Sequence, residues 1–95
     1  MLDDWLMRHT PITRDDSSKL SDLRYYLGVQ YKFYKQVSGL KSAEVKYLEH
    51  LRLLERNLRK NGVADDSLKN ELRMVFSIIE NTIELLENKL GIEAE

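Results

Sequence analysis

The segment 65–91 constrains this chain most, because it reads as one long helix with two rows of apolar side chains. Both rows repeat at alternating steps of three and four residues, the spacing that aligns side chains along an α-helix. Together they cover roughly 200° of its circumference, whereas ~100° suffices to cover one neighbour. The helix is therefore expected to contact more than one other helix. The first row is Leu72, Phe76, Ile79, Ile83, Leu86 and Leu90, and the second is Met74, Ile78, Asn81 and Leu85, with Val75 and Thr82 between them.

Three helices are predicted in a single helical domain over 1–95. Helix 1 covers about 14–38, helix 2 about 42–61 and helix 3 about 66–90. The links between them are about three to five residues long, which forces consecutive helices to lie antiparallel. The expected fold is all-α, an antiparallel up-down-up three-helix bundle that begins with a short helical flap.

Polar residues and a glycine mark the predicted helix ends. Thr13 and Asp16 have the spacing of a capping box at the start of helix 1, and Asp15 or Ser17 is an alternative cap. Ser42 is predicted as the N-cap of helix 2, and Asp65 as the N-cap of helix 3. Gly91 is predicted to close helix 3, as glycine does where a helix ends in the left-handed conformation.

Residues 1–12 form the flap, which ends at Pro11. Leu2, Trp5 and Leu6 share one side of this element, and so short a helix is stable in water only when that side is docked. The flap either covers one end of the bundle with Trp5 or enters a groove of a partner protein as an amphipathic helix. In the second case Trp5 and Leu6 are the contacts.

Helix 1 carries a second apolar row, formed by Tyr25, Val29 and Phe33, on a side that its main row does not cover. Gly28 beside that row indicates the close approach of another backbone, or a mild bend. Helix 2 has a single apolar row, which covers an arc of roughly 120° and consists of Tyr47, Leu48, Leu51, Leu54 and Leu58. The apolar arcs of helices 1 and 3 are thus wider than that of helix 2. This difference predicts that something besides helix 2 lies against helices 1 and 3. The main row of helix 1 is Leu20, Leu23, Leu27, Gln30, Tyr34 and Val37.

A homodimer through helices 1 and 3 is the expected arrangement, since monomers rarely expose so large an apolar patch and two-fold dimers are the commonest oligomers. Asn81 is expected to set the register, as a polar residue does within a coiled coil. The predicted dimer interface is Met74, Ile78, Asn81 and Leu85. The residues predicted to bind a protein partner are Trp5, Leu6, Tyr25, Val29 and Phe33.

The distribution of charged residues supports an alternative function, but less strongly. The net charge of −1 argues against bulk attraction to DNA or membranes. Basic residues concentrate between 24 and 60 and acidic residues after 76, so an antiparallel bundle would neutralise part of both. The alternative function is nucleic-acid binding, in which the basic face of helix 2 follows a phosphate backbone. That face consists of Arg52, Arg56, Arg59 and Lys60.

Catalysis has little support in the sequence. There is no cysteine nucleophile or Gly-rich phosphate loop, and His9 and His50 are isolated from other candidate ligands. No apolar run approaches the roughly 18 residues of a membrane span, and the lack of cysteine fits a reducing compartment. The function predicted is a non-enzymatic, cytoplasmic adaptor or regulatory protein. It is expected to need no catalytic residue, metal or cofactor and to act through protein contacts and homodimerisation.

Overall fold

A computed structural model describes residues 11–37 and 41–91 of the chain. It confirms the all-α fold. Within the described residues there are three α-helices and no β-strand. They are α1 (Ser17–Gln36), α2 (Lys41–Asn61) and α3 (Lys69–Leu90).

The predicted capping box is present at the start of helix 1. The carboxylate of Asp16 accepts hydrogen bonds of 3.3 Å from both the backbone N–H and the hydroxyl of Thr13. The box opens a 3-10 turn, Arg14–Asp16, which continues into α1. α1 ends at Gln36 rather than 38, because Val37 adopts extended backbone with φ −92° and ψ 142°.

The starts of the other two helices differ in detail from the prediction. Lys41 is already helical, so Ser42 lies within the first turn of α2 and is not its N-cap. Asp65 does act as a cap, but its carboxylate accepts the backbone N–H of Ser67 at 2.9 Å to open a 3-10 turn that precedes α3. Gly91 closes α3 as predicted, with a left-handed φ of 70°.

α3 packs against both other helices, which accounts for its wide apolar side. The line at the centre of its buried face contains Ile79 and Leu86 of the first predicted row, together with residues that lie between the two rows. Residues of both rows, Ile78 and Leu85 included, flank that line and are partly buried against the core. Part of the apolar width on which the predicted homodimer rests is therefore covered within the chain. The fully buried residues of the central line are Val75, Ile79, Thr82 and Leu86.

Polar contacts join α1 and α3 near both ends. Close to the start of each helix, the hydroxyl of Ser21 donates to the carboxylate of Glu71 at 3.1 Å. Close to the other end, the ammonium of Lys89 donates to the backbone carbonyls of Tyr34 and Val37. A lysine that bonds the last carbonyls of a helix supplies partners that the helix itself lacks and offsets the negative end of its dipole.

A short backbone link, which the sequence patterns did not predict, ties the start of the described chain to the loop between α2 and α3. The N–H of Ile12 donates to the carbonyl of Gly62 at 2.9 Å, and the N–H of Ala64 donates to the carbonyl of Ile12 at 2.8 Å. Arg14 reinforces the link through a 2.9 Å contact with the Asp65 carboxylate. Ile12, assigned to the flap by its sequence position, is buried in the core.

The predicted main rows of helices 1 and 2 face the core. Gly28 does not mark a close helix contact within the chain, because a Cβ built on it meets no atom within 4 Å. The buried apolar residues of these two helices are Leu20, Leu23, Leu27, Tyr34, Tyr47, Leu48, Leu51, Leu54 and Leu58.

Candidate functional site

Three apolar side chains stand one turn apart on the outside of α1. Tyr25 is 76 % exposed, Val29 is 44 % exposed and Phe33 is 45 % exposed. Single exposed apolar residues are normal on protein surfaces, whereas a contiguous apolar patch marks an interaction site more often. We refer to Tyr25, Val29 and Phe33 as the outer row. The row that the sequence places outside the core is therefore exposed to solvent in the structure.

An aromatic stack joins the outer row to the interior. The ring of Phe33 meets Tyr34 edge to face at 5.1 Å, and Tyr34 stacks on Tyr47 of α2 at 4.9 Å. Burial, the largest cause, raises the pKa of both tyrosines. The Tyr47 hydroxyl is buried without a hydrogen-bond partner among the described residues. Because the stack is fixed by the core, it holds Phe33 in a defined position on the surface.

The sequence patterns did not predict this stack, although both of its tyrosines belong to predicted apolar rows. Tyr34 ends the main row of helix 1, and Tyr47 begins the apolar row of helix 2. Two rings close to the two ends of the short link between consecutive helices are placed to meet. Trp5 and Leu6, the other residues predicted to bind a partner, lie outside the described residues.

The predicted dimer row on α3 is only partly open. Met74 is 49 % exposed and Asn81 is exposed, while Ile78 and Leu85 are partly buried against the core. The side chain of Arg24 on α1 reaches the Met74 sulfur at 3.0 Å. The row therefore borders α1 and offers a second molecule less apolar surface than its sequence pattern indicates.

A shallow groove of about 250 Å³ follows this border between α1 and α3. Asn81 lines it, and its role in setting the register of a dimer stays a prediction. The groove is open and largely polar. Its lining residues are Tyr31, Asn81, Glu84, Leu85 and Asn88.

Two arginines of the basic face on α2 are paired with acidic residues of α3. Arg52 lies 2.7 Å from the carboxylate of Glu87, and Arg59 lies 3.2 Å from that of Glu80. The Arg59 guanidinium also lies 4.8 Å from the centre of the Phe76 ring. The basic middle and the acidic end of the chain thus neutralise each other at these contacts.

Arg56 and Lys60 complete the predicted basic face and are exposed. Neither forms an ion pair with another described residue. Affinity for nucleic acid grows with the number of phosphates neutralised, and tight binders neutralise roughly six to ten. With Arg52 and Arg59 engaged by carboxylates, this face presents a small uncompensated charge.

The candidate metal ligands in the described part of the chain are not grouped. His50 stacks beside the Tyr47 ring at 6.2 Å. Between residues 11 and 37 and between 41 and 91, no three His, Asp or Glu side chains are grouped to hold a metal ion. None of the helices described has the length and apolarity required to cross a bilayer.

Comparison with known proteins adds no assignment. No protein-family model, curated protein or solved structure matches this chain.

Proposed function

We propose that this protein is a non-enzymatic helical adaptor or regulator that binds another protein through the outer row of α1. The observation that carries the proposal is the exposure of Tyr25, Val29 and Phe33 at one-turn spacing. Binding energy at protein interfaces concentrates in a few aromatic anchors. Phe33 is held by the aromatic stack, so less side-chain entropy is lost when it is covered.

Homodimerisation and an antiparallel up-down-up arrangement of the helices belong to the same proposal. The order of the polar pairs supports the arrangement: Ser21 early in α1 contacts Glu71 early in α3, whereas Arg52 of α2 contacts Glu87 late in α3. A cytoplasmic location is also proposed, since a chain without cysteine gains nothing from an oxidising compartment.

A capture experiment tests the interaction surface. The purified chain is immobilised and exposed to a cell extract, and the retained proteins are quantified against a variant with Tyr25→Ala and Phe33→Ala. The matched control carries Val45→Ala and Leu53→Ala, since these α2 residues are 40 % and 47 % exposed but lie outside the outer row. We expect a protein retained in stoichiometric amounts to be lost with the first variant only. Equal retention by both variants would contradict the proposal.

Nucleic-acid binding by α2 is the less favoured alternative, because Arg52 and Arg59 are paired with carboxylates. It makes a different prediction. Binding of a DNA or RNA fragment should fall steeply between about 50 and 200 mM salt and disappear with Arg56→Glu. That result, with no protein captured through the outer row, would favour the alternative over the adaptor proposal.

A further inference from the structure

One flank of α2 is buried although it does not face the centre of the core. Leu51 and Leu58, both 0 % exposed, mark the middle of the side that does. At about 100° per residue, Asn57 stands roughly 100–120° from that middle, outside the stripe that a helix needs to cover its neighbours. It is nevertheless only 7 % exposed. Val45, at a similar angle on the opposite flank, is 40 % exposed.

The cover on this flank is confined to the end of α2. Ala43 and Asn61 lie about five turns apart on the same side of the helix. Ala43 in the first turn is exposed, whereas Asn61 at the last position is only 8 % exposed. The bond from Ile12 to the loop after α2 covers part of Asn61. Asn57 lies one turn earlier, so its cover has another source.

The other two helices lie against different sides of α2. α3 contacts α2 on the opposite flank, where Arg52 and Arg59 form their ion pairs, roughly 140–160° from Asn57. Among the described residues, α1 and α2 pack closely against α3 but only sparsely against each other. The stack of Tyr34 on Tyr47 joins them near their linked ends, far from Asn57. The cover of Asn57 therefore comes from residues outside the described ranges.

Two of the remaining segments are too far away to supply that cover. Residues 38–40 and 92–95 both begin near Val37, because the ammonium of Lys89, close to the end of α3, bonds the Val37 carbonyl. From the start of α2, Asn57 lies roughly 24 Å further along the helix. A segment of four residues spans at most about 14 Å.

Residues 1–10, in contrast, end beside the covered flank, since Ile12 is bonded to the loop that directly follows α2. We infer that residues 1–10 pack along the flank of α2 that contains Asn57, parallel to α2, with Trp5 and Leu6 against it. The occupant of this surface is thus the start of the same chain.

The length and pattern of the segment fit this position. As a helix, ten residues span about 15 Å, which covers nearly three turns of α2. Leu2, Trp5 and Leu6 share one side of the segment. So short a helix is stable only when that side is docked. Because the segment is joined to the surface it covers, docking does not lose the overall freedom that two separate molecules lose, and a small contact area suffices.

This packing decides between the two positions that the sequence allows for the flap. Trp5 and Leu6 make their contacts within the chain, and the outer row of α1 is left as the surface for a protein partner. The segment occupies the flank of α2 whether or not another protein binds the outer row.

The fluorescence of Trp5, the sole tryptophan, tests the packing in the full chain. Acrylamide should quench the native chain several-fold less than the chain unfolded in urea, because a packed indole is shielded from solvent. Asn57→Arg places a charge on the flank and should raise the quenching of the native chain toward the unfolded value. Val45→Arg, on the opposite flank, is the matched control and should leave quenching unchanged. Circular dichroism verifies that both variants keep their helical content.

Disulfide formation tests the position of the segment without placing a charge on the flank. The sequence has no cysteine, so two introduced cysteines have only each other as partners within one chain. Leu6→Cys with Asn57→Cys should close a disulfide in dilute solution, which requires Cα atoms within about 7 Å. Leu6→Cys with Arg56→Cys is the matched control and should stay reduced, because Arg56 is adjacent to Asn57 in the chain but exposed.

Two results would overturn the packing. Equal quenching of Trp5 in the native and the unfolded chain would show that the segment is not packed on the chain. A disulfide between Leu6→Cys and Val29→Cys, with none to Asn57→Cys, would place the segment on the outer row of α1 instead. Neither measurement uses a second protein, so the capture experiment tests the adaptor proposal separately.

Discussion

Replacement of Lys89 by methionine should destabilise the fold more than the loss of a surface charge normally does. The Lys89 ammonium donates to the carbonyls of Tyr34 and Val37, where α1 ends and its own hydrogen bonds run out. Lys89→Met keeps an unbranched side chain of similar length and removes only these donors. Hydrogen bonds to charged groups contribute about 1.5–3 kcal/mol. Because Lys89 is only partly buried, the expected loss is about 1–2 kcal/mol.

The assay is urea unfolding followed by circular dichroism, together with a thermal melt. For a chain of this size a loss of 1–2 kcal/mol lowers Tm by roughly 5–15 °C. Lys69→Met is the matched control at the opposite end of α3, where the lysine forms only an exposed ion pair with Asp66 at 3.1 Å. It should change the free energy of unfolding by less than about 0.5 kcal/mol. Equal effects of the two substitutions would refute the reasoning that Lys89 caps α1.

Three further predictions follow from single side chains. Gly28→Ala should stabilise the fold by about 0.5–1 kcal/mol in urea unfolding, because a Cβ there meets nothing; a loss of stability would reveal a close contact. The pKa of Asp65 is lowered below 3.8, chiefly by the Ser67 N–H and further by Arg14, so its stabilisation is present above that value and is lost as pH falls through the lower folded pKa. Asp65→Asn should therefore flatten the decline of Tm between about pH 4 and pH 2, and parallel curves would contradict this. Tyr47→Phe removes a buried hydroxyl without a described partner and should leave Tm unchanged or raise it; a drop above about 5 °C would show that the hydroxyl is bonded.

The periodicity of apolar residues was sufficient to predict the three helices and most of the core. In α1 the main row is buried and the outer row is exposed, as the spacing of Leu20, Leu27 and Tyr25 indicates. This works because a helix places residues three and four apart on one side whatever it packs against. Thr13 and Gly91 mark helix ends for the same local reason, since caps depend on neighbouring backbone groups.

The same spacing predicted that helix 3 has several neighbours, but it did not identify them. A broad arc states only that a helix has several neighbours, and it does not state whether they belong to the same chain. The structure places α3 against both α1 and α2, so Ile78 and Leu85 are partly covered by the chain itself. The outer row of α1 stays exposed, and the dimer contact through α3 stays a prediction.

By itself, the sequence determined the helical segments, the residues that face inward and the presence of an apolar row that the main row of helix 1 does not cover. These properties follow from local spacing and local hydrogen bonding. The tertiary structure alone decided that α3 packs against both other helices. It also decided the tie from Lys89 to the end of α1 and the link from Ile12 to the loop at Gly62. It also decided that Arg52 forms an ion pair with Glu87. Such contacts join residues far apart in the chain, and their partners are determined by how the helices pack rather than by the pattern of either segment.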